Sequence, residues 1–249
     1  MFGFGKKKDR PAAASAAPAS PAAAGGASTG CLLCGAGPAA PPAAPARCAL
    51  CGGERLPAEA CASGHALCEP CLTGPVADVI ERACAASDER DPVALALRVL
   101  RHPRVRPGPS EYDQLVPSVL VAAWTTARGE VAARAERVRE ARARVPARPA
   151  GRPDGRGAAA GAGTFVALAA EAAGGARDGA LVDRAIARAQ AIIGSGADAA
   201  CERRNALVAV LAAARVAREL GTELPARGLS CENAGKNPSC VGAGCPFNR

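Results

Sequence analysis

The chain has 249 residues, a formal net charge of +8 and an apolar fraction of 49%, with only 2% aromatic residues. Because alanine supplies most of the apolar residues and fills little volume, the composition argues against a large core and favours helices joined by flexible segments. No apolar run approaches the length of a membrane span, and the positive charge is no greater than solubility alone explains.

Residues 1–30 are of low complexity and are predicted to form a disordered tail. They contain no leucine-rich secretion signal, whereas an organelle transit peptide stays open because the segment has few acids. We therefore expect the twelve cysteines to lie in a reducing compartment, the cytoplasm or the nucleus. Paired cysteines there indicate metal or redox chemistry.

Residues 31–47 are predicted to hold an extra cysteine knuckle and a Pro/Ala-rich spacer, and three ligand pairs follow one another after them. A Cys-x2-Cys pair delivers two thiolates to one ion, and a Cys-x3-His pair can do the same with a neutral imidazole. A redox Cys-x2-Cys would need a βαβ setting, which is not visible. The pattern predicts Zn²⁺ in a module over residues 48–90, and the pairs are Cys48/Cys51, Cys61/His65 and Cys68/Cys71.

The order and spacing of these six ligands resemble the RING finger family of ubiquitin ligases. The resemblance implies two structural zinc ions in a cross-brace, in which pairs one and three share one ion and pairs two and four share the other. Leu50 and Leu72 stand where that family favours apolar residues, and the resemblance implies that Leu50 contacts a ubiquitin-conjugating enzyme. The ligands implied for the first ion are Cys48, Cys51, Cys68 and Cys71, and Cys61 and His65 begin the second.

The fourth pair departs from the family pattern. Cys84 could supply one late ligand, with Asp88 as an oxygen ligand, or Cys240 and Cys245 could complete the second site from the far end of the chain. The helices would then form one long insertion, whose closure entropy grows only logarithmically with length. Other readings stay open. Cys231 could take part, the three late cysteines could form a separate site, and Cys31 with Cys34 could be a half-site or one knuckle of a zinc ribbon.

Residues 91–230 are predicted to be an Ala/Arg-rich helical region. Its first helix would have Asp91 as N-cap and Pro92 at its first position. Pro117 should break or kink the next helix. A long helix to about residue 145 follows, with a seven-residue spacing that indicates either a coiled coil or a surface helix packed on its own domain. The residues of that seam are Trp124, Val131, Val138 and Val145.

A linker is predicted near residues 146–163, where glycine, proline and arginine dominate. Two amphipathic helices are predicted after it, the first ending at Gly194 and the second near Gly221. Cys201 is interpreted as a buried structural thiol and His102 as exposed. Residues 231–249 form a cysteine-containing C-terminal segment.

The sequence thus predicts a mainly α protein with a small, irregular, zinc-stapled RING-like module. The function implied by the resemblance is that of a RING-type ubiquitin ligase, which docks a ubiquitin-conjugating enzyme and protein substrates and has no catalytic residues of its own. The alternative is a non-enzymatic zinc interaction module. A zinc ribbon that binds nucleic acid ranks third, since no aromatic residues interleave with the arginines.

Overall fold

A computed structural model describes residues 31, 33–34, 36–102, 104–105, 109–145, 156–174, 179–194, 201–226, 231 and 240–248. The predicted disordered tail of residues 1–30 lies outside them. The described part is mainly helical, as predicted. The helices are α1 (Glu69–Thr73), α2 (Val76–Ala86), α3 (Pro92–Leu100), α4 (Pro109–Ala127), α5 (Arg134–Ala143), α6 (Arg156–Ala172), α7 (Gly179–Ile193) and α8 (Glu202–Ala217).

Short antiparallel strands precede the helices. One sheet has the order β1-β4-β5, with Pro38 opposite Cys61 and Glu59 opposite Leu67. The other pairs β2 with β3. Strands this short cannot stabilise themselves, so this part of the chain needs another source of order. The strands are β1 (Pro38–Ala39), β2 (Ala46–Arg47), β3 (Glu54–Arg55), β4 (Pro57–Cys61) and β5 (Ala66–Cys68).

The hydrophobic core is continuous from the strands into the helices. It runs from Leu67 through Ile80 of α2 to Trp124 of α4, and on to Phe165 of α6 and Leu207 of α8. Helix α6 contacts α4, α7 and α8. Many of the buried residues are alanines, so the helices fill space by approaching closely rather than by large side chains.

The predicted start of α3 is confirmed. The Asp91 carboxylate accepts hydrogen bonds from the backbone N–H groups of Val93, at 2.8 Å, and Ala94, at 3.2 Å. Two of the orphan donors at the helix start are thereby satisfied. Pro92 occupies the first helical position, where its missing N–H costs nothing.

The long helix expected to reach residue 145 is interrupted, and the structure gives no support for a coiled coil. Helix α4 ends at Ala127, Gly129 has φ of +75°, and α5 starts at Arg134. Helix α5 packs on α4 and α2 of the same chain. Trp124 is buried between the guanidinium groups of Arg128 and Arg137, whose carbons lie 4.8 and 5.1 Å from the ring centroid. Trp124, the first residue of the predicted seam, therefore packs in the core of its own chain.

Pro117 does not end its helix, because α4 continues through it. The proline cannot donate to the carbonyl oxygen of Asp113 four residues earlier. Gly161 of α6 lies against this place, where an added Cβ would be 3.0 Å from that oxygen and 2.9 Å from Cδ of Pro117. Residues 156–163, predicted as part of a linker, are thus helical because their small side chains allow α6 to cross α4 closely.

Among the described helices, none combines the length and apolar character that a membrane span requires.

Candidate metal centres

Four cysteines converge at the base of the sheets to form site 1. The two sulfurs of Cys51 and Cys68 are 3.8 Å apart. All four sulfurs lie within 4.8 Å of one another, and three of the four residues are buried. This is the spacing of ligands around a single metal ion. The members of site 1 are Cys48, Cys51, Cys68 and Cys71.

The local turns of site 1 follow from the sequence. Gly52 comes directly after the first knuckle with φ of +70°, and its N–H donates to the Cys48 carbonyl oxygen at 2.8 Å. Glycine adopts this left-handed conformation without steric cost. The N–H of Cys68 points at Sγ of Cys48, at 3.5 Å, so the second knuckle is oriented toward the first.

A second group of three cysteines and one histidine forms site 2. Nδ1 of His65 lies 3.6 Å from Sγ of Cys61 and 3.8 Å from Sγ of Cys31. The sulfurs of Cys34 and Cys61 are 3.8 Å apart. Gly64, with φ of +82°, provides the turn that brings the imidazole back toward Cys61. Site 2 is less buried than site 1, since Cys34 is exposed.

The two ligand sets interleave along the chain. The first and third pairs build site 2, and the second and fourth pairs build site 1. The chain between the two pairs of site 2 therefore contains the first pair of site 1, and the chain between the two pairs of site 1 contains the second pair of site 2. Every cysteine and histidine in the described part of residues 31–71 belongs to one of the two sites.

Each site contains one thiol with an acidic pKa. A hydrogen bond with the Cys71 thiol lowers the pKa of Cys48 to about 4, and the same bond raises the pKa of Cys71. In site 2, the backbone N–H of Ala36 lowers the pKa of Cys34 to about 6. Since the thiolate is the form that binds metal, these hydrogen bonds favour the metal-binding form of one cysteine in each site.

Site 1 is tied to the helices by hydrogen bonds as well as by packing. His102, predicted to be exposed, is only 3% exposed, and its Nε2–H donates to the carbonyl oxygen of Cys71 at 2.6 Å. The N–H of Arg104 donates to Nδ1 of the same ring at 3.2 Å, which fixes the neutral tautomer. Arg82 of α2 donates to the Pro70 carbonyl oxygen at 2.9 Å.

The structure completes site 2 differently from the sequence prediction. Cys31 and Cys34 supply the missing pair, and neither Cys84 nor the late cysteines do. Cys84 is fully buried in α2, and burial raises its pKa to about 12, so it is an inert core thiol. Cys240 and Cys245 lie beside Cys201, away from residues 31–71.

The two leucines that the resemblance places at a partner contact are buried to different degrees. Leu50 is 7% exposed and belongs to the hydrophobic core, so little of its side chain is accessible to another protein. Leu72 is half-buried against the same core. Leu56, between β3 and β4, is instead 63% exposed. Sequence spacing could not distinguish a core leucine from a surface one.

The signal for site 2 was present in the sequence. Both upstream knuckles have the pattern Cys-x2-Cys-Gly, at Cys31 and at Cys48, and four ligand pairs follow one another without interruption. Pairing alternate members of that run gives both observed sites.

The fold and the sites define a mainly helical protein that carries two Cys/His clusters at metal-binding geometry on its N-terminal side. Residues 80–248 match the family of unknown function DUF5714, and the chain belongs to that family. Both clusters precede the matched residues. Neither a curated protein nor a solved structure was found to match the chain.

Proposed function

We propose that residues 31–71 bind two structural zinc ions and form a protein-interaction module attached to the helical domain. The observation that carries the proposal is the division of eight soft ligands into two interleaved groups of four. A tetrahedral ion with Zn–S bonds of about 2.3 Å has S–S edges of about 3.8 Å. The closest sulfur pairs of both sites have this separation.

A structural role fits the ligand count. Catalytic zinc keeps a position open for water or substrate, whereas four protein ligands fill the tetrahedron. The surrounding strands span two to five residues each, too few to fold alone. Metal binding and folding of this segment are therefore coupled.

An interaction role is supported by the surface that the metals would fix. Leu56 is a large exposed aliphatic residue in the turn between β3 and β4, directly beyond the Cys51 knuckle. Arg55 and Glu54 beside it are also exposed. An apolar residue bordered by charges suits a small protein contact.

Elemental analysis of the purified full-length chain tests the zinc proposal. Cys34→Ser should lower the zinc content by one ion per chain, because it removes a thiolate that nothing else replaces. Cys84→Ala, which changes a buried cysteine outside both sites, should leave the zinc content at the wild-type value. Equal zinc in wild type and Cys34→Ser would contradict site 2.

Ubiquitin ligation is a second candidate. It is supported by the pairing of Cys48 and Cys51 with Cys68 and Cys71, which is the pairing that the RING resemblance implies for one ion. The buried Leu50 weighs against it, so a conjugating enzyme would have to use Leu56. Ubiquitin chain formation with a panel of conjugating enzymes tests this candidate. Activity that falls in Leu56→Ala at unchanged zinc content supports ligation, and inactivity of fully zinc-loaded wild type with every enzyme excludes it.

A further inference from the structure

A second gathering of cysteines lies at the start of α8, within the part of the chain that matches the family. Four cysteines from three separate segments line one cavity there, together with Leu207, Val241 and Phe247. Cys201 and Cys231 are far along the chain from each other and from the last two cysteines, so no local turn brings these segments together. The four residues, termed site 3, are Cys201, Cys231, Cys240 and Cys245.

Backbone contacts hold the segments of site 3 together. The N–H of Cys231 donates to the carbonyl oxygen of Phe247 at 2.7 Å. A turn of 3₁₀ helix, Gly242–Gly244, brings Cys245 inward, and its N–H donates to the Gly242 carbonyl oxygen at 3.0 Å. Cys201 is the residue before α8, and it is 8% exposed.

Charged groups lie beside the sulfurs of site 3. Burial raises the pKa of the Cys201 thiol, and a hydrogen bond from the backbone N–H of Arg204 partly offsets this. The side chains of Arg203 and Arg204 line the cavity. Nε of Arg203 is buried and has no hydrogen-bond partner in the described part of the chain. Two guanidinium groups beside four cysteines offset the charge that metal-bound thiolates carry.

Packing and disulfides do not account for this arrangement. All twelve cysteines are described, and none of them forms a disulfide. The final segment, residues 240–248, has only Val241 and Phe247 as large apolar residues, which is little burial to hold it against α8. A core role for the sulfurs alone would not require four of them around one cavity.

We propose that site 3 is a metal centre with four thiolate ligands, which takes either a zinc ion or an iron–sulfur cluster. Both accept four cysteines in tetrahedral arrangement. In sites 1 and 2 the ligand atoms group within 4.8 Å, and among the described residues site 3 does not form such a compact group. Metal binding at site 3 would therefore draw the sulfurs closer together.

Metal analysis of the full chain, purified without oxygen, tests the proposal. Wild type should carry one metal centre more than Cys245→Ser: either one additional zinc ion, or iron with acid-labile sulfide and the visible absorption of a cluster. Cys84→Ala is the matched control and should keep the wild-type content. Cys34→Ser should lose the metal of site 2 alone, so failure of the zinc module and failure of site 3 remain distinguishable.

Thiol labelling of the wild-type protein tests the proposal without a variant that could fail to fold. Cys231 and Cys240 are only half-buried, so as free thiols they would react with an alkylating reagent in the native protein. Metal-bound, they should resist labelling until a chelator or oxidant removes the metal, as read by peptide mass spectrometry. Rapid labelling of both residues, or the same metal content in wild type and Cys245→Ser, would overturn the proposal.

Discussion

Gly161 lies at the contact between α6 and α4, where there is no room for a side chain larger than the hydrogen atom of glycine. An added methyl group would meet atoms of Asp113, Val116 and Pro117 at 2.9 to 3.0 Å, and none of these atoms ends a flexible side chain. Gly161→Ala should therefore lower the free energy of unfolding by about 1–3 kcal/mol, the usual cost of overpacking a core. Denaturant unfolding followed by circular dichroism measures it.

The matched control for Gly161 is Gly179, the first residue of α7. An added Cβ there meets nothing within 4 Å, and the residue has no positive φ. Gly179→Ala should leave stability unchanged or raise it slightly, since alanine restricts the unfolded chain more than glycine does. Equal stability of the two variants would show that α6 and α4 are less closely packed than described.

Residue identities for the metal sites were predictable, but their pairing was only partly so. Cysteine and histidine spacing marks ligands because a knuckle is a local structure, and six of the eight ligands follow from it. The partner of Cys61 and His65 depends on which distant pair the fold brings near, and local spacing carries no such information. The burial of Leu50 and His102 depends on α2 and α3 in the same way.

Helices α2 and α5 are joined by one arginine. Arg142 of α5 contacts Asp78 at 2.7 Å and Glu81 at 2.8 Å, both on α2. The pairs are about one-third exposed, so screening limits their value to about 1 kcal/mol together. Arg142→Gln should lower the free energy of unfolding by that amount at low salt and by less at high salt.

Arg218 provides the comparison for Arg142, since it also pairs with a carboxylate, Glu223, at 3.0 Å. That pair is exposed by more than two-thirds on both side chains. Arg218→Gln should produce no measurable change in the denaturation midpoint at any salt concentration. A loss as large as that of Arg142→Gln would assign both effects to net charge rather than to the bridge.

At the level of elements, capping chemistry was the most dependable signal. Asp91 and Pro92 predict the start of α3 because they act on neighbouring backbone groups. The glycine-rich residues 156–163 resemble a linker, since glycine weakens an isolated helix. Their small size stabilises α6 because it lets this helix approach α4 closely. The local sequence of residues 156–163 does not show that α4 packs against them.

Across the whole molecule, the metal module and the helices should respond differently to chelation. Site 2 contains the exposed Cys34, whereas Cys71 of site 1 is fully buried. Under a chelator, mass spectrometry should find alkylation of Cys31 and Cys34 before that of Cys68 and Cys71. Simultaneous labelling of all four would mean that the two sites open as one unit.

Fluorescence of the single tryptophan shows whether the helices stay folded when a chelator removes the metal. Trp124 is 1% exposed and packs within the helices, between two arginines. Its emission should stay that of a buried indole while sites 1 and 2 lose metal, because α4, α5 and α6 contact one another directly. A shift toward the emission of an exposed indole at the same chelator concentration would show that the helices depend on the module.

The interleaved ligand order also sets a sequence of events during synthesis. Ribosomes extend the chain from its N-terminus, and early segments can fold before later ones exist. All eight ligands of sites 1 and 2 have been made by residue 71, before any residue of α2. The nascent chain can therefore close both metal sites first and present a finished surface, onto which α2 and α3 then assemble as they emerge.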